Sequence, residues 1–183
     1  MRTALLALAA LTAACHGLPS YTCEYGFEAG GMTFCLEYEP DVLPDKQLIE
    51  GLVEVVEREV SAVYPSVRGV RDMLAAAGTF VVVVDRATAL MKDCEEIATS
   101  GTYVCKTKLG GYVWLQQSFI MMKKYTRPQC VANWILAHEL LHMVDYYMLG
   151  ENMRHSRPRL FDPENKTSIE YKIRLALGTE LSC

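Results

Sequence analysis

PQCVANWILAHELLHMVDYYMLG, residues Pro128 to Gly150, reads as one buried helix. Pro128 suits a first helical turn, where its missing N–H is no loss, and Gly150 suits the position just past a helix end. Between them apolar side chains occupy nearly every face of the helical wheel, which leaves no face for water. The only formally charged side chains inside are Glu139 and Asp145, and the stretch holds no Lys or Arg to pair with either. Unpaired carboxylates are expensive to bury, so a cation is expected to compensate them.

His138, Glu139 and His142 spell HELLH within this helix. A four-residue step is about one helical turn, so both imidazoles project from one face and can reach a single metal ion. Glu139 lies beside them, where a carboxylate can take a proton from a metal-bound water. Asp145, three residues past His142, falls on the same face, in position to accept a hydrogen bond from an imidazole or from an Arg such as Arg174. The plainer alternative is a pair of core histidines satisfied by carbonyls, with Glu139 turned to the surface.

Outward from this helix the chain reads as a single α+β unit without repeats or low-complexity tracts. Pro44-Asp45 opens a helix over 45–64, with Leu48, Leu52, Val55, Val56 and Val60 at helical spacing, and a short helix over Val70 to Ala77 stops at Gly78. TFVVVVD, Thr79 to Asp85, is β-branched and uninterrupted, the pattern of a central strand covered on both faces. Residues 102–107 and 112–122 carry strand patterns punctuated by Gly110-Gly111, and the second, which contains WLQQSFIMM, is expected at a sheet edge, open to strand addition by an extended peptide. TSIEYKIRLALG forms a last helix, with Ile169, Ile173, Ala176 and Leu177 as its stripe and Gly178 as its stop.

The whole chain has 183 residues, 51% of them hydrophobic, and 18 Lys+Arg against 22 Asp+Glu give a formal charge of -4. That is enough chain for a sizeable core, and the mild acidity without any basic block argues against a nucleic-acid partner. MRTALLALAALTAA, residues 1–14, sets one Arg ahead of an apolar run too short to span a bilayer, the layout of a secretory signal peptide. Removing Cys15 from the seven cysteines leaves six, Cys23, Cys35, Cys94, Cys105, Cys130 and Cys183, enough for three disulfides in an oxidising compartment. Cys23 with Cys35 comes first, because YTCEYGFEAGGMTFCLEY reads as a hairpin turning at Ala29-Gly30-Gly31. Cys94 with Cys105, and Cys130 with Cys183, follow by proximity and elimination.

Two resemblances extend this reading. Thr12-Ala13-Ala14 before Cys15 resembles the bacterial lipoprotein signal, which implies lipidation of Cys15 as a new N-terminus and a place in the cell envelope; cleavage by an ordinary signal peptidase, giving a secreted or periplasmic protein, is the alternative. The organisation is then a signal at 1–14, an N-terminal hairpin segment at 15–40 and a domain at 41–183. HELLH, set after a helix and a run of strands, resembles the zincin metallopeptidases. That resemblance implies a twisted sheet whose edge strand overlies a cleft, one zinc ion, a protein or peptide substrate, and a monomeric endopeptidase in which Glu139 is the general base.

Zincins complete the metal sphere in different ways. Asp145 and Met148 stand where a metzincin would carry Gly and a third His, so that branch is excluded. Gluzincins take a Glu from a later helix, and the choices here are Glu151, Glu164 and Glu170, with His155 and Asp162 as outside candidates. Glu170 is preferred because it lies on the last helix. HELLHMVD followed by IEYKIR and a Cys near the C-terminus is also similar to the mitochondrial peptidases that process an ATP-synthase subunit, and this likeness carries over Asp145 and Glu170 alone. His155, Tyr125, Tyr146 and Tyr171 are loose candidates for stabilising an oxyanion. The competing function is a non-catalytic zinc-containing envelope lipoprotein, a binding or structural module.

Overall fold

Strands β1 (Tyr25–Ala29) and β2 (Met32–Leu36) form the expected hairpin, closed by Gly30 and Gly31 at φ 60° and 79°. Two consecutive left-handed residues make the turn whose twist matches that of the strands. The computed structural model describes residues 23, 25–40, 43–85, 91–97, 102–108, 111–125, 129–150 and 159–181, with 91–97 and 102–108 as backbone alone. Cys23 and Cys35 are disulfide-bonded with their Cα atoms 5.3 Å apart. They are not directly opposite: Cys35 faces Gly26 across the ladder, and the Cys23 sulfur reaches over the space that a side chain at 26 would fill.

Helix α1 (Lys46–Val63) starts where Asp45 caps it, its carboxylate accepting from the Gln47 and Leu48 N–H groups. Its buried stripe is Ile49, Leu52, Val53, Val55, Val56 and Val60, with Leu48 turned to the margin. The polar face clamps two turns. Glu50 accepts from Gly30 N–H at 2.8 Å, and Glu57 accepts from Gly69 and Val70 N–H at 3.0 and 2.8 Å, satisfying donors at the start of α2 (Val70–Ala76).

Strand β3 (Phe80–Val84) is the middle of a five-stranded sheet of order β1-β2-β3-β7-β6. It pairs in parallel with β2 and β7 (Phe119–Lys123), while β1 and β6 (Gly111–Trp114) run antiparallel at the two edges. The N-terminal hairpin is thus continuous with the central sheet. Val81 and Val83 pack with the helices, Val82 and Val84 pack into a second apolar cluster with Phe119 and Met121, and all four valines are buried, as an uninterrupted β-branched strand requires.

The sequence pattern misplaced the edge. Residues 112–122 are not one strand: β6 and β7 form a hairpin around a 3₁₀ turn at Leu115–Gln117, so most of WLQQSFIMM is turn and interior strand. Ser118, at φ 49°, supplies the left-handed residue that the turn needs. Strand β4 (Met91–Ile97) was not anticipated; it pairs with β5 (Thr102–Lys108) in a separate two-stranded sheet. Its register sets Cys94 opposite Cys105, whose side chains lie outside the described residues.

Helices α3 (Cys130–Met148) and α4 (Ile169–Glu180) complete the layer over one sheet face. Helix α4 runs two residues past Gly178, because Glu180 forms a paired hydrogen bond with Arg58 of α1 at 2.7 and 2.9 Å. Cys130 is disulfide-bonded, whereas Cys183 and Cys15 lie outside the described residues. Among the described residues no helix is long and apolar enough to cross a membrane.

Two glycines separate the cost of conformation from the cost of space. Gly78 has φ 64° and open space where a Cβ would stand, so Gly78→Ala should lose about 1 kcal/mol of unfolding free energy. At Gly31, φ 79°, a Cβ would also collide with the Arg71 carbonyl, so Gly31→Ala should lose clearly more in urea unfolding; equal losses would contradict the packing.

Candidate functional site

Helix α3 is buried on nearly all sides, and its polar groups are withdrawn with it: Glu139 is 4%, His142 8% and Asp145 2% exposed. His138 and His142 sit one turn apart with ring centroids 4.8 Å apart and their planes nearly perpendicular. Their Nε2 atoms approach to 3.2 Å. Phe161 stacks on His142 at 4.3 Å and meets His138 edge-on at 5.6 Å, which fixes both rings.

The turn carrying Phe161 also delivers α4. Asp162 accepts the Glu164 and Asn165 N–H groups at 3.1 Å, and the Ser168 hydroxyl donates to the Asp162 carbonyl at 2.6 Å. Ser168 then caps α4 by accepting from Tyr171 N–H, while Ile169 and Glu170 N–H donate to the Arg159 and Leu160 carbonyls. Glu170 enters as a first-turn carboxylate, 3% exposed, and its Oε1 accepts from His138 Nδ1 at 2.8 Å. Its Oε2 is buried without a hydrogen-bond partner among the described residues.

A cleft of about 640 Å³ opens between the sheet edge and these helices. Gly111 of β6, Lys123 of β7, Trp134, His138, Glu139 and Glu170 line it, with Ile135 packed beside Gly111. The edge is held in place by α3 itself. Tyr147 donates its hydroxyl to the Leu115 carbonyl at 2.7 Å, which leaves Ser118 Oγ to donate back to Tyr147 at 2.6 Å.

Burial lowers the proton affinity of His138, but the hydrogen bond it donates to Glu170 and the negative charges of Glu139 and Glu170 outweigh it and leave the imidazole above its ordinary value. A proton on Nδ1 directed at Glu170 turns the Nε2 lone pair toward His142. This is the arrangement in which a carboxylate orients a metal-binding imidazole.

The fit to a metal is therefore specific in one respect and incomplete in another. Two imidazole nitrogens converge beside a buried carboxylate oxygen that lacks a partner, a donor chemistry that suits zinc. Yet among the described residues no three His, Cys, Asp or Glu side chains form a ready-made cage, because Glu170 bonds the far nitrogen of His138.

The remaining candidates separate clearly. Glu164 is exposed, Asp162 spends one oxygen on its own turn, and Glu151 and His155 lie outside the described residues. Asp145 is buried beyond His142, while exposed Arg174 lays its guanidinium over the Trp134 ring at 5.1 Å. Tyr125 is buried in the core with its ionisation pushed upward by desolvation, Tyr146 stands edge-on to Tyr147, and neither these two nor Tyr171 lines the cleft. Phe161, Trp134 and Lys123 were missed because nothing in their local spacing marks them. Gly111 was read only as punctuation.

Comparison with protein-family models, curated proteins and solved structures returns no match.

The Glu170–His138 bond has a pH signature in metal-free protein. A raised folded-state value stabilises the fold most below about pH 6.5, the unfolded value, and that stability is lost as pH rises through the folded value. The urea midpoint should therefore fall as pH rises above about 6.5, and Glu170→Gln should flatten the fall; an unchanged slope would rule the bond out as its source.

Proposed function

We propose that this protein is a zinc-dependent endopeptidase, a zincin-like hydrolase whose metal is held by His138, His142 and Glu170. The observation that carries the reading is the 3.2 Å convergence of the two Nε2 atoms beside buried Glu139, inside an open cleft bordered by an edge strand. The order of elements after the N-terminal hairpin, with α1 before the central strand β3 and the HELLH helix after the β6–β7 edge hairpin, supports the zincin likeness.

Bound zinc would supply Lewis acidity, lowering the pKa of a water and polarising the scissile carbonyl. The protein supplies the rest. Glu139 accepts the proton as the water attacks and returns it to the departing amine nitrogen, so one carboxylate serves as base and then acid. His138 is held by Glu170 through Nδ1, and Phe161 packs both imidazoles in place. Strand β6 offers its outer backbone edge to an extended peptide, which would add as a further strand. Apolar Trp134 lines the same cleft and would receive a substrate side chain.

Glu170 admits two roles on the observed geometry. Its Oε2 suits ligation, and its Oε1 already orients His138. Glu170→Gln should abolish stoichiometric zinc if the carboxylate ligates, and weaken zinc binding only about 10- to 100-fold if it orients.

Zinc analysis combined with cleavage of a quenched-fluorescent peptide library tests the proposal. Glu139→Gln should retain zinc and lose at least about 100-fold in turnover, and His138→Ala should lose the metal. Full hydrolysis by Glu139→Gln, or a purified protein unable to take up zinc, would end the reading. We further propose export and envelope anchoring through lipidated Cys15. Fatty-acid labelling that survives Cys15→Ser would refute it.

A further inference from the structure

One missing side chain sets how closely the edge strand approaches the buried carboxylate. A Cβ at Gly111 would lie 2.8 Å from Ile135 Cγ2, 3.0 Å from the Met121 carbonyl oxygen and 3.2 Å from Glu139 Oε1. Gly111 is not among the positive-φ glycines, so space and not backbone conformation demands it. Ile135 and Glu139 are four residues apart on α3 and share the face that meets β6.

The three neighbours differ in how readily they give way. Met121 belongs to the β6–β7 ladder, where it faces Tyr112, so its carbonyl is fixed by strand pairing. Ile135 is β-branched and holds essentially one rotamer in a helix. The Glu139 carboxylate stands at the end of three rotatable bonds. A methyl group at 111 therefore moves the carboxylate more readily than the sheet or the helix.

Resting on the hydrolase reading above, we infer that Gly111 is a positioning residue that seats the Glu139 carboxylate against the sheet edge, at the position from which it moves the proton. The bare backbone lets β6 close over the carboxylate while leaving its outer edge to the substrate. Displacing a reacting group by about 1 Å costs on the order of 100-fold in rate.

The test uses Gly111→Ala in the full chain. With the library peptide that wild type cleaves best, kcat should fall about 10- to 100-fold while KM stays within about twofold and zinc remains stoichiometric. Zinc loss, or an unchanged kcat, would overturn the inference. Adding Ile135→Ala removes the closest collision; full recovery of kcat would show that only packing was disturbed and would also overturn it.

A second readout needs no hydrolysis. The drop in urea midpoint caused by Gly111→Ala should be smaller in a Glu139→Ala background than in wild type, and equal drops would refute the contact. If wild type cleaves nothing, the hydrolase reading fails while this comparison still decides where the carboxylate sits. Should Gly111→Ala not fold, Gly111→Ala/Ile135→Ala carries both readouts. If neither folds, the glycine serves packing and the inference fails.

Discussion

The structure turns on polar groups held inside apolar helices. Glu139, Asp145 and Glu170 are each nearly inaccessible, and the two imidazoles of α3 lie among them. Withdrawing carboxylates from water is costly unless hydrogen bonds or a cation compensate. The Glu170–His138 hydrogen bond is one compensation visible in the geometry, and the raised proton affinity of His138 is its electrostatic consequence. Under the proposed function a divalent cation takes over that task, in which case proton and metal compete for the same imidazole.

Most of the remaining architecture serves to place this cluster. The parallel core β2-β3-β7 is covered by the helices on one face and by a second apolar cluster on the other, so it forms a stiff platform. Helix α3 crosses that platform and is tied to the β6–β7 turn through Tyr147, which holds the cleft rim at a set distance from HELLH. Helix α4 is secured at both ends: Ser168 and the 159–160 turn hold its start, and Glu180 meets Arg58 near its close. Because Glu170 sits in the first turn, the loop before α4 sets its reach toward His138.

Periodic elements were legible in the sequence, and contacts between distant segments were not. Helices α1, α2 and α3 lie within a residue or two of their expected bounds because apolar spacing, Asp45 as a cap and Gly150 as a stop are local signals. The edge was misread because Tyr112 to Met122 is aromatic-rich and apolar enough at both ends to pass for one strand. A left-handed residue at Ser118 is uncommon outside glycine, so the turn carried no signal. Strand β4 was missed because MKDCEEI is too polar to stand out.

The sequence by itself determined that two imidazoles and a carboxylate share one face of a buried helix, since helical periodicity follows from backbone geometry alone. It also established the central β-branched strand and the Cys23–Cys35 hairpin. Only the tertiary structure decided which nitrogen of His138 meets Glu170, that Phe161 closes over both rings, and that Gly111 brings the sheet edge against Glu139. Those relations join residues 19 to 32 positions apart, where no periodicity operates and steric fit between packed elements sets each distance.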